Sequence, residues 1–373
     1  MRACLCFASL AVVAAAFFMS LPGCGDSDGP KVKRIILLTN GDDPFWDVAR
    51  AGMEKAAAEL NLEDAGYRVV VDKGDGSAAY QIDKLKQYAG QTDVAAVAIS
   101  VTEADSGGLA DAMKRLREAG IKVITIDSDT DREQFRDARF AYLGTNNVIG
   151  GRQLGRAAKV LLPDGGKYVT FVGLKSAANA VERINGFAEG AGETFEERDS
   201  MEDKIKHPVA QQNVKTAMGN HPDLNLLVGI WAYNAHAIVA VVDELEIRDQ
   251  VKVVVFDAAE RALLHMGNGK IDAMVVQNPY QMGYLGTKLM KAMIDDDGAA
   301  IKELLPDYDV ASKKFTGAEG DIYTTELRVV VPDDGSPLRP EHFNSDVISR
   351  EKNTFFYLDE FKKWLADRNI TSS

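Results

Sequence analysis

Cysteine is almost absent from this chain. There are three, Cys4, Cys6 and Cys24, and none follows residue 24. Everything beyond that point therefore lacks a disulfide, a thiolate nucleophile and a cysteine-based metal site. Histidine is also sparse: His207, His221, His236, His265 and His342 are the five, and no pair stands at zincin spacing. An excess of basic residues is missing as well. Lys and Arg number 43 against 56 Asp and Glu, a formal charge of −13, so no polyanion-binding face is expected and nucleic acid is set aside as a partner. The chain has no GxxxxGK[ST], no GxSxG, and no GxGxxG after its first apolar run, which argues against P-loop, nucleophile-elbow and dinucleotide chemistry. No cofactor or metal is implied. What is present is ordinary globular composition, 46% hydrophobic and 27% charged, enough for a sizeable core and two lobes.

The N-terminus reads as a processing segment. "MRACLCFASLAVVAAAFFMSLPGC" has an early Arg2, an apolar stretch from Leu5 to Leu21 and a small-residue exit at Cys24, the pattern of a secretory signal. Its last residues, "LPGC", resemble the lipobox of bacterial lipoproteins, whose cysteine becomes the lipidated first residue. Pro22 departs from the small or aliphatic residue usual there. The alternative is an uncleaved N-terminal anchor, for which the stretch is at the short end. "GCGDSDGP" then reads as a flexible tether. Both readings place the remainder outside the cytoplasm.

From Lys31 onward, short apolar runs alternate with amphipathic segments. The runs are 34–38, 67–71, 94–100, 122–126, 167–172, 224–230, 251–256 and 273–276. They are continuously hydrophobic, as strands buried on both faces are. The segments between them carry apolar residues at three- and four-residue steps, for example Phe45, Val48, Ala49, Met53, Ala56 and Leu60, the spacing of an amphipathic helix. Repeated β-α alternation points to an α/β fold with parallel sheets. Strand number favours two doubly wound lobes; an eight-stranded barrel is left open by periodicity alone.

In an open parallel sheet, ligands gather where strands end and helices begin. Here the strands are followed by "TNGDDPFW", "DSDTD", "WAYNAH", "DAAE" and "QNPYQMG". Polar groups and aromatics collect on one edge. Together with "VITID", "NNVIGGRQLG", "VERINGF", "VVVFDAAE" and "VVQNPYQMGYLG", in that order and spacing, they resemble the type I periplasmic solute-binding proteins of bacterial sugar uptake, the ribose-binding group in particular, from Lys31 to Val331. The resemblance implies two doubly wound parallel-sheet lobes joined by hinge strands. A signal peptide would occupy 1–23 and a tether 24–30. The N-terminal lobe would take 31–144 plus 278–306, the C-terminal lobe 145–277 plus 321–332, and an extension 333–373. Strands would cross between lobes near 143–147 and 277–279.

The same resemblance implies the ligand-binding residues: Asp43, Phe45 and Trp46 from "DDPFW", Asp127 from "VITID", Arg183 before "INGF", Asp257 from "VVVFD" and Gln277 from "VVQNP". It adds Asn234 in "WAYNAH", with Tyr233 as the alternative there, and Thr39 as a lesser contact. Residue chemistry agrees, because a sugar offers hydroxyls at its edge and apolar C–H faces to flat rings. Each residue also has a plainer reading. Asp43-Pro44 makes a good helix start on its own, Asp257 could merely cap the following helix, and Arg183 could pair with Glu182 or Glu189 in solvent. Adjacent helical residues point about 100° apart, so one of Phe45 and Trp46 should face the cleft; Trp46 is the expected one. Two departures stand out. Ser128 sits where the ribose-type pattern has arginine, which makes ribose itself a doubtful ligand, and the tail "NTFFYLDEFKKWLADRNI" reads as an amphipathic helix docked on a lobe.

The function implied is an extracytoplasmic receptor, lipid-anchored at Cys24 and monomeric, that closes on a small sugar or polyol and presents it to an ABC transporter permease. One alternative is a receptor serving a chemoreceptor or sensor kinase. The other is a glycoside-acting enzyme using Asp43, Asp127 and Asp257, which the absent motifs do not support.

Overall fold

The computed structural model describes residues 32–343 and 354–372; the expected signal, tether and Cys24 lie outside them. The apolar runs become sheet cores. β1 (Lys33–Leu38), β2 (Tyr67–Asp72), β3 (Val94–Ile99), β4 (Lys122–Ile126) and β5 (Tyr142–Gly144) alternate with α1 (Phe45–Glu59), α2 (Ala78–Ala89) and α3 (Gly107–Glu118). After α4 (Asn147–Leu161) come β6 (Gly166–Val172), α5 (Ala178–Ala191), β7 (Phe195–Glu202), α6 (His207–Asn220), β8 (Leu226–Gly229), α7 (Asn234–Glu244), β9 (Lys252–Phe256), α8 (Glu260–Gly267) and β10 (Ala273–Val276). The chain continues through α9 (Pro279–Ile294), α10 (Gly298–Leu304) and the small hairpin β11 (Tyr308–Asp309) and β12 (Lys314–Phe315). It closes with β13 (Ile322–Thr324), β14 (Arg328–Val331), β15 (Thr354–Tyr357) and α11 (Leu358–Ala366).

The first sheet has six strands, ordered β13-β5-β4-β3-β1-β2, and the second has seven, ordered β15-β14-β10-β9-β8-β6-β7. Both therefore share one winding, which sets β4 and β9 at equivalent positions. Within these two sheets, every strand pairing among the described residues is parallel except β14 against β10. This is the doubly wound α/β architecture, with helices covering both faces of each sheet.

The glycines of "NNVIGGRQLG" and "VERINGF" have a packing reason. α4 and α5 cross at backbone contact: a methyl group added at Gly151 would fall 2.2 Å from the Arg183 carbonyl oxygen, and one at Gly186 would fall 2.2 Å from the Val148 oxygen. That crossing fixes the helix carrying Arg183.

Two differences from the sequence reading concern the lobes. Ile322–Thr324, expected in the C-terminal lobe, pairs with Tyr142–Gly144 of the first sheet, so the chain crosses between sheets a third time, between Thr324 and Arg328. The crossings are stitched together: Thr325 N donates to Gly144 O at 2.7 Å, and Thr145 Oγ1 donates to Gln277 Oε1 at 2.8 Å. The tail is also not helical throughout. Thr354–Tyr357 adds an edge strand beside β14, and the helix begins only at Leu358. Three-residue strands such as β5 and β13, and the polar edge strand β7, "FEERDSME", lack the apolar run that marks the buried strands.

Candidate functional site

The carboxyl ends of both sheets face one another across a small cavity of about 40 Å³, lined by residues of both lobes. Asp127 follows β4 and Asp257 follows β9, the equivalent positions of the two sheets. Both adopt left-handed backbone, with φ of 61° and 67°. Such conformations cost about 1–3 kcal/mol and concentrate at functional sites. Here they turn each carboxylate from the strand end into the cavity.

Arg183 stands between these two acids and is 1% exposed. Its Nε donates to Asn147 Oδ1 at 3.0 Å, its Nη1 donates to the Ile230 carbonyl at 3.0 Å, and the guanidinium stacks on Phe256 with its carbon 4.5 Å from the ring centre. Nη2 lies 3.8 Å from Asp127 Oδ1, and Nη1 lies 4.0 Å from Asp257 Oδ2. Asp127 Oδ2 accepts from Ser100 Oγ and, across the cleft, from Asn179 Nδ2, both at 3.0 Å. Asp257 accepts from Gln277 Nε2 at 3.0 and 3.2 Å. Burial pushes the Asp257 carboxyl up to about 6, offset in part by Arg183 and Gln277. Burial likewise raises Asp127, against the pull of Arg183, Ser100 and Asn179.

The opposite wall is the start of α1. Asp43 Oδ1 accepts from Phe45 N at 2.8 Å, so the aspartate does cap the helix while still lining the cavity. Burial raises its carboxyl too, eased by that bond and by His207. Phe45 and Trp46 both reach the wall, packed edge to face at 5.0 Å and 87°. Trp231 and Tyr233 supply aromatic surface from the second lobe. Three buried polar atoms of lining residues have no hydrogen-bond partner among the described residues: Asn179 Oδ1, Arg183 Nη2 and Trp231 Nε1.

The sequence profile of the periplasmic binding protein domain matches residues 35–299. The chain belongs to this family. Its relatives include the ribose import binding protein of Escherichia coli, 25% identical, with 68% of this chain and 81% of that protein covered. The fructose import binding protein of Bifidobacterium longum is 24% identical over 82% of this chain and 93% of its own length. Among solved structures, the glucose-galactose binding protein of Geobacillus stearothermophilus superimposes with a TM-score of 0.67, covering 82% of this chain and 99% of that one at 24% identity. This last likeness speaks for the fold.

In this periplasmic binding protein, Asp43, Phe45, Trp46, Asp127, Arg183, Asp257 and Gln277 all line the cavity. The plainer readings of two fail. Asp257 makes no cap bond to α8, and Arg183 is buried, while Glu182 pairs with Arg132 and Glu189 with Arg152. Two expected residues stand behind the wall instead. Thr39 Oγ1 donates to Gly41 O at 2.7 Å and accepts from Gly74 N at 2.9 Å. Asn234 accepts from Trp231 N at 3.0 Å and donates to Asp203 Oδ2 at 2.9 Å. Its amide is consumed in shaping the loop, and Trp231, Ala232 and Tyr233 take the lining place. Ser128 is fully buried. Asn179 and Trp231 were within reach of sequence reasoning: Asn179 lies one helical turn before Arg183 on the same face, and Trp231 directly follows the apolar run 224–230. Ile205, also in the wall, had no such signal. It projects from a loop in which Lys204 and Ile205 are both left-handed, with φ of 55° and 58°.

Proposed function

We propose that this protein is an extracytoplasmic receptor that captures a small sugar-like ligand between its two lobes and delivers it to an ABC transporter permease. The observation that carries the reading is the cavity wall itself. Carboxylates, a guanidinium and amides stand beside aromatic planes, with three buried polar atoms still unpartnered. Buried polar groups are nearly always satisfied, so a wall with spare donors and acceptors suits a hydroxyl-rich ligand. Import binding proteins for ribose and fructose among its relatives support the same class. On this reading Asp43, Asp127, Asp257, Gln277 and Arg183 bond hydroxyls, and Phe45 and Trp46 pack on the C–H faces of the ring. Thr39 and Asn234 hold the wall in place.

Closure would be a hinge motion about the three crossing strands, with the closed state favoured by a ligand that touches both lobes. We further assign the chain to the periplasm or cell surface, anchored through a lipid on Cys24 and acting as a monomer that binds without turnover. Calorimetric titration against pentoses, hexoses and polyols, with product analysis of the same mixtures, tests the reading. Tight binding without product is expected. No heat with any compound, or the appearance of product, would sink it. Trp46→Ala should weaken binding and reduce the ligand-dependent fluorescence change; an unaltered titration would assign Trp46 to the core alone.

A further inference from the structure

The charges of the cavity do not balance. Asp43, Asp127 and Asp257 line it, and Arg183 is the one Lys or Arg among the described lining residues. Arg183 is committed to one side, within 3.8 Å of Asp127 and 4.0 Å of Asp257. A single guanidinium can neutralise only one of that pair. Asp43 stands on the other wall, at the start of α1, with one oxygen taken by the Phe45 N–H. His207, whose ring lies against Tyr233 at 4.8 Å, is not among the described lining residues of this cavity. The closed wall thus holds two carboxylates more than its resident cation balances. Burying uncompensated charge is costly unless a partner arrives.

We infer that the natural ligand carries a positive charge: it is an amine-bearing sugar whose ammonium group sits on the Asp43 side of the cavity. The inference rests on the receptor reading above and narrows it. An ammonium group supplies one of the two missing positive charges, on the Asp43 side, and donates up to three hydrogen bonds. Phe45, Trp46, Trp231 and Tyr233 line the same cavity, and aromatic faces attract a cation. Arg183 Nη2 and Asn179 Oδ1, both without a hydrogen-bond partner among the described residues, remain for hydroxyls. A neutral sugar would satisfy the hydroxyl-binding groups and leave the charge imbalance in place.

The test is calorimetric titration at pH 7.0 with matched sets: D-glucosamine, D-glucose and N-acetyl-D-glucosamine, then D-galactosamine, D-galactose and N-acetyl-D-galactosamine. The amine should bind at least roughly tenfold tighter than its neutral partner, as a charge-assisted hydrogen bond does, and acetylation should abolish the gain. Asp43→Asn should weaken the amine sugar by at least roughly tenfold more than it weakens the neutral sugar, and so collapse the preference. Neutral sugars binding as tightly as the amines would overturn the inference and leave the receptor reading intact. So would a preference unchanged in Asp43→Asn. No binding by any of the six compounds would overturn the inference, while binding of a neutral pentose or polyol in the same assay would keep the receptor reading.

Discussion

Asp257 shows how one residue can serve the site at the expense of the fold. Its carboxyl is raised from an ordinary 3.8 to about 6 because it is buried with incomplete compensation. Ionising it in the ligand-free protein therefore costs on the order of 3 kcal/mol. Between pH 4 and 6 the folded state holds this proton more tightly than the unfolded chain, so the contribution to stability falls as pH rises through that window. Asp257→Asn is expected to stabilise the ligand-free protein at pH 7.5, with the gain shrinking towards zero at pH 4. Asp43, Asp127 and Asp203 are raised for the same reason, while Asp129, bonded to Arg139, and Asp321, bonded to Arg136 and Arg139, are lowered. The difference between variant and wild type across pH, from urea melts, isolates Asp257; a constant difference would count against the assignment. The same substitution should weaken ligand binding, and Asp257→Ala should abolish it.

At the scale of elements, two contacts decide more than propensity does. The α4–α5 crossing has no room for a methyl group at Gly151. Gly151→Ala should displace α5 and with it Asn179 and Arg183, costing about 1–3 kcal/mol in stability and weakening binding as well. A fully stable variant with native affinity would show the crossing to be compliant. The tail helix α11 buries Leu358, Phe361 and Leu365. Its Trp364 ring lies between the guanidinium groups of Arg328, 3.8 Å away, and Arg368, 4.0 Å away, and stacks on Phe361 at 5.7 Å. Arg328 in turn donates to the Gln277 carbonyl at 3.3 Å, tying the tail to the second crossing. Trp364→Ala should lower the unfolding free energy by about 2–3 kcal/mol; a change under about 0.5 kcal/mol would mean the tail is dispensable to the lobe.

For the molecule as a whole, the lobes meet across the cleft as well as at the crossings. Ala104 N donates to Ser176 O at 2.9 Å, Ser176 Oγ to Thr102 O at 3.1 Å, and Arg132 lies 3.6 Å from Glu182. With the Asn179–Asp127 bond these are polar contacts, each contributing on the order of 1 kcal/mol, and a ligand that touches both lobes adds its own differential affinity to the closed arrangement. Solution X-ray scattering should show the radius of gyration falling when the tightest-binding sugar is added to saturation. Superimposable curves with and without ligand would argue against hinge closure.

The buried strands could be read from the chain because a strand covered on both faces must be apolar throughout, as "RIILL" and "VKVVVF" are. The strand-end aspartates could be read because a parallel winding sends every carboxyl end to one edge, so Asp127 and Asp257 share the cavity whatever the loops do. Other features needed the tertiary structure. β13 joins the first sheet through three residues, and β7 is a polar edge strand; neither carries a local pattern, because its place depends on a neighbour distant in sequence. Thr39 and Asn234 have the right chemistry at the right strand ends, yet backbone groups and Asp203 claim their hydrogen bonds first. The charge imbalance of the cavity was likewise undecided by sequence. It depends on which carboxylates Arg183 reaches, and that distance is set by the packing of α5 against α4.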